Sequence, residues 1–206
     1  MSVIHSRSAS IPWRHELAAT LKLAWPLVLT QLATIALTTV DVIMIGWLGP
    51  DELAAATLAT SLIFPLTFFG IGLLAATAAM FSQEIGAIRL RGVRRTLRQG
   101  FWVAITLCIP CLVFLWNGER VMLLTGQDPK LAAMAIGYVD WAQWGLLPLM
   151  CFTVLRNLVT AHSRPRSSLI ILLLAIGVNA VADYALIFGN FGAPALGLEG
   201  AAVATV

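Results

Sequence analysis

Apolar residues run almost unbroken through five stretches of the chain, about 23–47, 53–82, 99–116, 132–160 and 169–189, and a sixth run opens near residue 200. A membrane-crossing helix needs about 20 mostly apolar residues at a rise of about 1.5 Å each, so each of the five is long enough to span a bilayer. The sixth reaches Val206, the last residue of the sequence, too soon to cross. The pattern predicts an all-α integral membrane protein, a polytopic helical bundle. Residues 1–22 form a basic segment ahead of a transmembrane lobe at 23–206, whose sixth helix, 200–206, is incomplete.

Polar residues inside these runs carry more information than the apolar ones, because a side chain that cannot hydrogen-bond to lipid must face a partner or a cavity. On the first run Gln31, Thr34, Thr38 and Asp41 recur at helical spacing and share one face. The threonines can bond to their own helix at little cost. Asp41 is different, since an aspartate near the centre of a spanning helix costs about 2.5–3.5 kcal/mol on insertion scales. The fifth run repeats the theme in IGVNAVADYALIFG, where Asn179 and Asp183 stand four residues apart. If the two faces meet, the carboxyls repel one another away from water, and the pair is expected to keep at least one proton near neutral pH. Asn179 suits either state, because an amide both donates and accepts.

Charge then orients the spans. Eleven of the thirteen Lys and Arg residues fall on one side of the runs, at Arg7, Arg14 and Lys22, at Arg89, Arg91, Arg94, Arg95 and Arg98, and at Arg156, Arg164 and Arg166. Only Arg120 and Lys130 lie on the other, among Asp51, Glu52, Glu119, Asp128 and Glu199. By the positive-inside rule the amino terminus is expected in the cytoplasm. The net charge of +3 therefore describes loop topology rather than a nucleic-acid surface. Composition agrees, with 59% hydrophobic residues, 11% charged residues and a mean hydropathy of +0.88, more apolar surface than a soluble domain can bury. The first run is too long for a signal-peptide core and ends without a small-residue cleavage site.

Soluble chemistry finds no foothold. Cys108 and Cys111 form CIPC inside the third run, with no charge nearby to stabilise a thiolate, and Cys151 stands apart, so the cysteines are expected to be structural, without metal or disulfide. His5, His15 and His162 show no ligand spacing. There is no Walker-type phosphate loop and no G-x-S-x-G elbow, and the chain is not expected to be an enzyme or to hold a cofactor. Asn157 approaches the cytoplasmic end of the fourth run as a candidate cavity residue, beside an Arg156 expected to snorkel. Asp140, among Tyr138, Trp141 and Trp144, reads as an interfacial anchor. Pro26, Pro65, Pro110 and Pro148 each fall within a run and can bend it, Pro26 being the candidate hinge.

Several segments together resemble the multidrug and toxic compound extrusion (MATE) transporters, in their bacterial NorM-like or DinF-like branch. They are AWPLVLTQL, VDVIMIGWLGPDELAAATLA, SQEIGA, LRNLVTAHSRPRSS and GVNAVADYALIFGNFGAPALGLEGAAVAT, spread over about residues 24–205. The resemblance implies a fold of twelve helices in two six-helix lobes around a cleft. This chain would be the amino-terminal lobe, with the carboxy-terminal lobe absent. It also implies a multi-pass protein of the bacterial inner membrane that exports lipophilic or cationic small molecules in exchange for H⁺ or Na⁺ as the lobes rock. Carried over by position, Asp41, Asn179, Asp183 and Thr205 match the cation-coupling residues, with a transient Na⁺ conceivable at the first three. Gln31 and Thr34 would line the substrate cavity above them, which Thr38, from the polar stripe, and Asn157, from its place in the fourth run, are expected to share. The alternatives are a lipid-linked saccharide flippase of the same superfamily and a non-transporting membrane fragment or scaffold.

Overall fold

The structure is a computed structural model that describes residues 13–162, 165–192 and 194–206. Arg7, His5 and Arg164 lie outside the described residues, and the side chains of Arg14, His15, Lys22, Pro26 and Arg166 lie outside the described side chains. The described residues form helices and turns, with no strand among them. In chain order the helices are α1 (Trp13–Gly46), α2 (Pro50–Leu74), α3 (Ala76–Gly86), α4 (Leu90–Trp116), α5 (Gly118–Leu124), α6 (Pro129–Ala142), α7 (Leu146–Ala161), α8 (Pro165–Phe188) and α9 (Leu198–Thr205). Among the described residues, five segments are long and apolar enough to cross a membrane: Val28–Gly46 within α1, α2 with α3, α4, α6 with α7, and Ile170–Phe188 within α8.

Two of these spans are broken in the middle. The second parts at Ala75, whose amide is shared between the carbonyls of Ile71 and Gly72 at 2.9 and 3.3 Å, while Pro65 sits inside α2 without ending it. The fourth tightens into a 3-10 turn over Gln143–Gly145 just before α7. Pro148 explains the place, since it has no amide to offer the carbonyl one turn back and its ring crowds that turn. The third span, α4, starts at Leu90, well ahead of the apolar run that opens near residue 99, and so carries Arg91, Arg94, Arg95 and Arg98 on its own first turns.

Packing pairs α1 with α8, α2 with α6, and α3 and α4 with α7, while α9 fills the space between α6 and α8. One buried cluster is rich in small side chains, including Ala55, Ala56, Ala59, Ala132, Ala135, Ala201 and Ala202. Small residues let helix backbones approach, which is how helices associate where lipid removes the hydrophobic drive between them. Gly200 is the tightest case, since a Cβ there would stand 2.5 Å from the Leu186 carbonyl oxygen of α8. A second cluster gathers Leu74, Phe81, Ala104, Cys108, Leu146, Met150 and Val154 around α7. Cys108, Cys111 and Cys151 are free thiols. The large apolar side chains left outside, among them Trp25, Phe68, Phe69, Trp102, Leu174 and Val178, are more than a water-facing surface tolerates and suit a lipid-facing one.

Candidate functional site

The long contact between α1 and α8 brings the two intramembrane acids together. Asp41, half-buried on α1, meets Asp183 on α8 side chain to side chain. Asp183 has no exposed surface at all, and Asn179, one turn earlier on the same face of α8, is also buried. Asn179 Nδ2 donates to the Ala204 carbonyl of α9 at 3.2 Å and reaches Thr205 Oγ1 at 3.5 Å. Thr205 Oγ1 in turn donates to the Ala201 carbonyl at 2.9 Å. Gly200 permits this arrangement, because its bare Cα lets α9 come close enough to α8 for the Asn179 amide to span the gap.

The site is rich in acceptors and short of donors. Asp41 Oδ1, Asn179 Oδ1 and both carboxyl oxygens of Asp183 are buried without a hydrogen-bond partner. Buried polar atoms are nearly always paired, and leaving one unpaired costs about 1–3 kcal/mol, more for a charged group. Two carboxyls in contact can pair only by sharing a proton, since an ionised carboxylate has none to donate. Four unsatisfied oxygens on three side chains are acceptors of the kind that a proton or a hard cation takes.

A cavity of about 150 Å³ opens beside the acids, lined by Thr38 and Asp41 of α1, Thr57 and Thr60 of α2, Tyr138 of α6 and Thr205 of α9. The remaining residues read from the sequence are distributed unevenly around it. Thr38 lines it, with its hydroxyl folded back on the Ile35 carbonyl at 2.9 Å. Thr34 bonds to the Thr30 carbonyl at 3.0 Å, and Gln31 is exposed a turn further along α1. Asn157 stands elsewhere, donating to the Leu74 carbonyl at 3.1 Å and to Thr77 Oγ1 at 3.0 Å, across the break between α2 and α3.

The family model MatE matches residues 26–185, which include Asp41, Asn179 and Asp183. The chain belongs to the MatE family. It is 46% identical over 195 residues to a probable multidrug resistance protein NorM of Mesorhizobium japonicum, a match covering 94% of this chain and 42% of that protein. A probable multidrug resistance protein NorM of Bradyrhizobium diazoefficiens is 43% identical over 205 residues, covering 98% of this chain and 44% of the relative. Among solved structures, a MOP superfamily transporter from Pyrococcus furiosus superposes with a TM-score of 0.77 at 21% identity, over 91% of this chain and 41% of that one. This last likeness concerns the fold. The chain thus spans less than half the length of the relatives it matches.

Within this MatE chain the site includes residues that sequence reasoning passed over. Tyr138 does not share the exposure of its tryptophan neighbours. It is buried, at 8% exposure, and borders the acidic cavity, while Trp141 and Trp144 remain half exposed. Thr57 and Thr60 contribute from α2, and the signal for them was available: Thr57, Thr60 and Thr67 recur at helical spacing along that span, as the polar stripe of α1 does.

Proposed function

We propose that the chain forms the ion-coupling lobe of a secondary active efflux antiporter that expels lipophilic or cationic compounds in exchange for H⁺ or Na⁺. The observation that carries this reading is the contact between Asp41 and Asp183, with both oxygens of Asp183 buried and unpartnered. Such a pair is poised to take up a proton or cation and, when ionised, to attract a positively charged substrate. Asn179 and Thr205 complete the coupling site. Gln31, Thr34 and Thr38 are assigned to the substrate path and Pro26 to a hinge, while Asn157, bonded to Leu74 and Thr77, is assigned to joining α2 and α3. The multidrug resistance names of the NorM relatives support the substrate class.

Coupling follows from linkage. An ion that neutralises the pair weakens the hold on a cationic substrate, and the substrate weakens the hold on the ion by the same factor. Alternating access would come from rocking of this lobe against a second one. The excess of Lys and Arg on one side supports an inner-membrane protein with its amino terminus in the cytoplasm. The test replaces Asp41 by Asn in the full-length transporter and follows efflux of a fluorescent lipophilic cation, with pH and Na⁺ gradients imposed separately. Gradient-driven efflux should be lost, and undiminished coupled efflux overturns the assignment.

A further inference from the structure

Beyond transport, the turn between α3 and α4 carries a feature that the acidic site does not use. A groove of about 890 Å³ lies there, with Arg89, Arg91, Arg95 and Gln99 on its polar wall. Arg91, Arg95 and Gln99 follow one another at intervals of four along α4 and so form one stripe, in which the two like charges repel. The first turn of α4 adds to the positive potential. It holds no acidic residue, and its N-cap, Arg89, makes no side-chain cap bond, so the helix dipole meets no compensating charge within that turn. Glu84 of α3 also lines the groove. Its Oε2 is buried without a hydrogen-bond partner against Gly92, which leaves three arginines facing one carboxylate.

The rim is apolar. Ile88 and Leu90 bracket Arg89 and are 86% and 71% exposed, and both line the groove. Ile88 has a φ of 56°, a left-handed conformation that a β-branched residue adopts only under strain. Strained and exposed isoleucine has no reason in water, but it is suited to a site where acyl chains meet the headgroup layer.

We infer that this groove binds an anionic phospholipid, with the phosphodiester held by Arg89, Arg91 and Arg95 and the acyl chains lying against Ile88 and Leu90. Basic pockets at the ends of spanning helices suit such headgroups, each basic residue near the surface contributing about five-fold in affinity. A purely topological role for the arginines requires only their number on one side of the membrane. It gives no reason for Arg89, Arg91 and Arg95 to line one groove with an apolar rim while Arg94 and Arg98 do not line it.

That division supplies the test. Spin-labelled phosphatidylglycerol and phosphatidylcholine are compared for immobilisation by the full-length protein in phosphatidylcholine bilayers, for wild type, Arg91→Gln, Arg95→Gln, Arg94→Gln and Arg98→Gln. Each variant removes the same single charge, so insertion is perturbed equally. The groove variants should lower the preference for phosphatidylglycerol by roughly five-fold each, and the other two by less than two-fold. Equal losses in all four, no preference in wild type, or displacement of the labelled lipid by inorganic phosphate would each overturn the inference.

Discussion

Asp183 of α8, fully buried, is matched to Asp41 of α1, and neither of its carboxyl oxygens has a hydrogen-bond donor from any other described residue. Stability alone does not explain such an arrangement, because replacing buried, poorly satisfied charge by a neutral group of the same shape is often neutral or stabilising. Burying the acids carries a cost, which is the expected trade under the proposed role of binding and releasing an ion.

Asp183→Asn should therefore raise thermal stability, by on the order of 1–3 kcal/mol, while abolishing gradient-driven efflux. The new amide can donate to Asp41, which removes one buried charge and supplies a missing donor. Unfolding of the detergent-solubilised protein, followed by tryptophan fluorescence, measures the first effect. A marked loss of stability would mean that the pair is a structural tie.

Asn157→Leu should destabilise the fold by about 1–3 kcal/mol, because it strips two hydrogen bonds from the junction of α2 and α3. The Leu74 carbonyl would keep its bond from Thr77 Oγ1, at 2.6 Å, which caps the loss at the lower part of that range. The variant should bind a lipophilic cation with unchanged affinity when assayed below its unfolding temperature. Loss of binding with stability intact would place Asn157 in the substrate path instead.

Gly200→Ala should cost about 1–3 kcal/mol, since its added methyl meets the Leu186 carbonyl of a packed helix and α9 must move away from α8. That shift would also withdraw Ala204 and Thr205 from Asn179. Gly72→Ala is the control, with nothing within 4 Å of the added carbon. Parallel melting curves for the two variants check the contrast, and equal stability of both would contradict the packing described.

The acids were legible in the sequence because charge inside an apolar run is costly and therefore conspicuous, and the spacing of Asn179 and Asp183 already put them on one face. Tyr138 was not legible. Flanked by Asp140, Trp141 and Trp144 it has the composition of an interfacial belt, and only the rotation of α6 against α2 and α9 turns it inward. The break at Ala75 had no marker either: no proline or glycine occupies the position, and the interruption is held by Asn157, more than eighty residues away in sequence. The extension of α4 back to Leu90 was hidden because arginines end an apolar run without ending a helix, being good helix formers themselves. Asn157 illustrates the converse, a polar residue whose placement depends on a neighbouring helix and cannot be read from its own.

The most direct test of the coupling site is to count protons released when a lipophilic cation binds the full-length protein in weakly buffered, Na⁺-free solution. Wild type should release protons on binding, because cation and proton compete for the Asp41–Asp183 pair, and Asp183→Asn should bind with little or no release. Equal proton release by the two proteins would contradict the assignment.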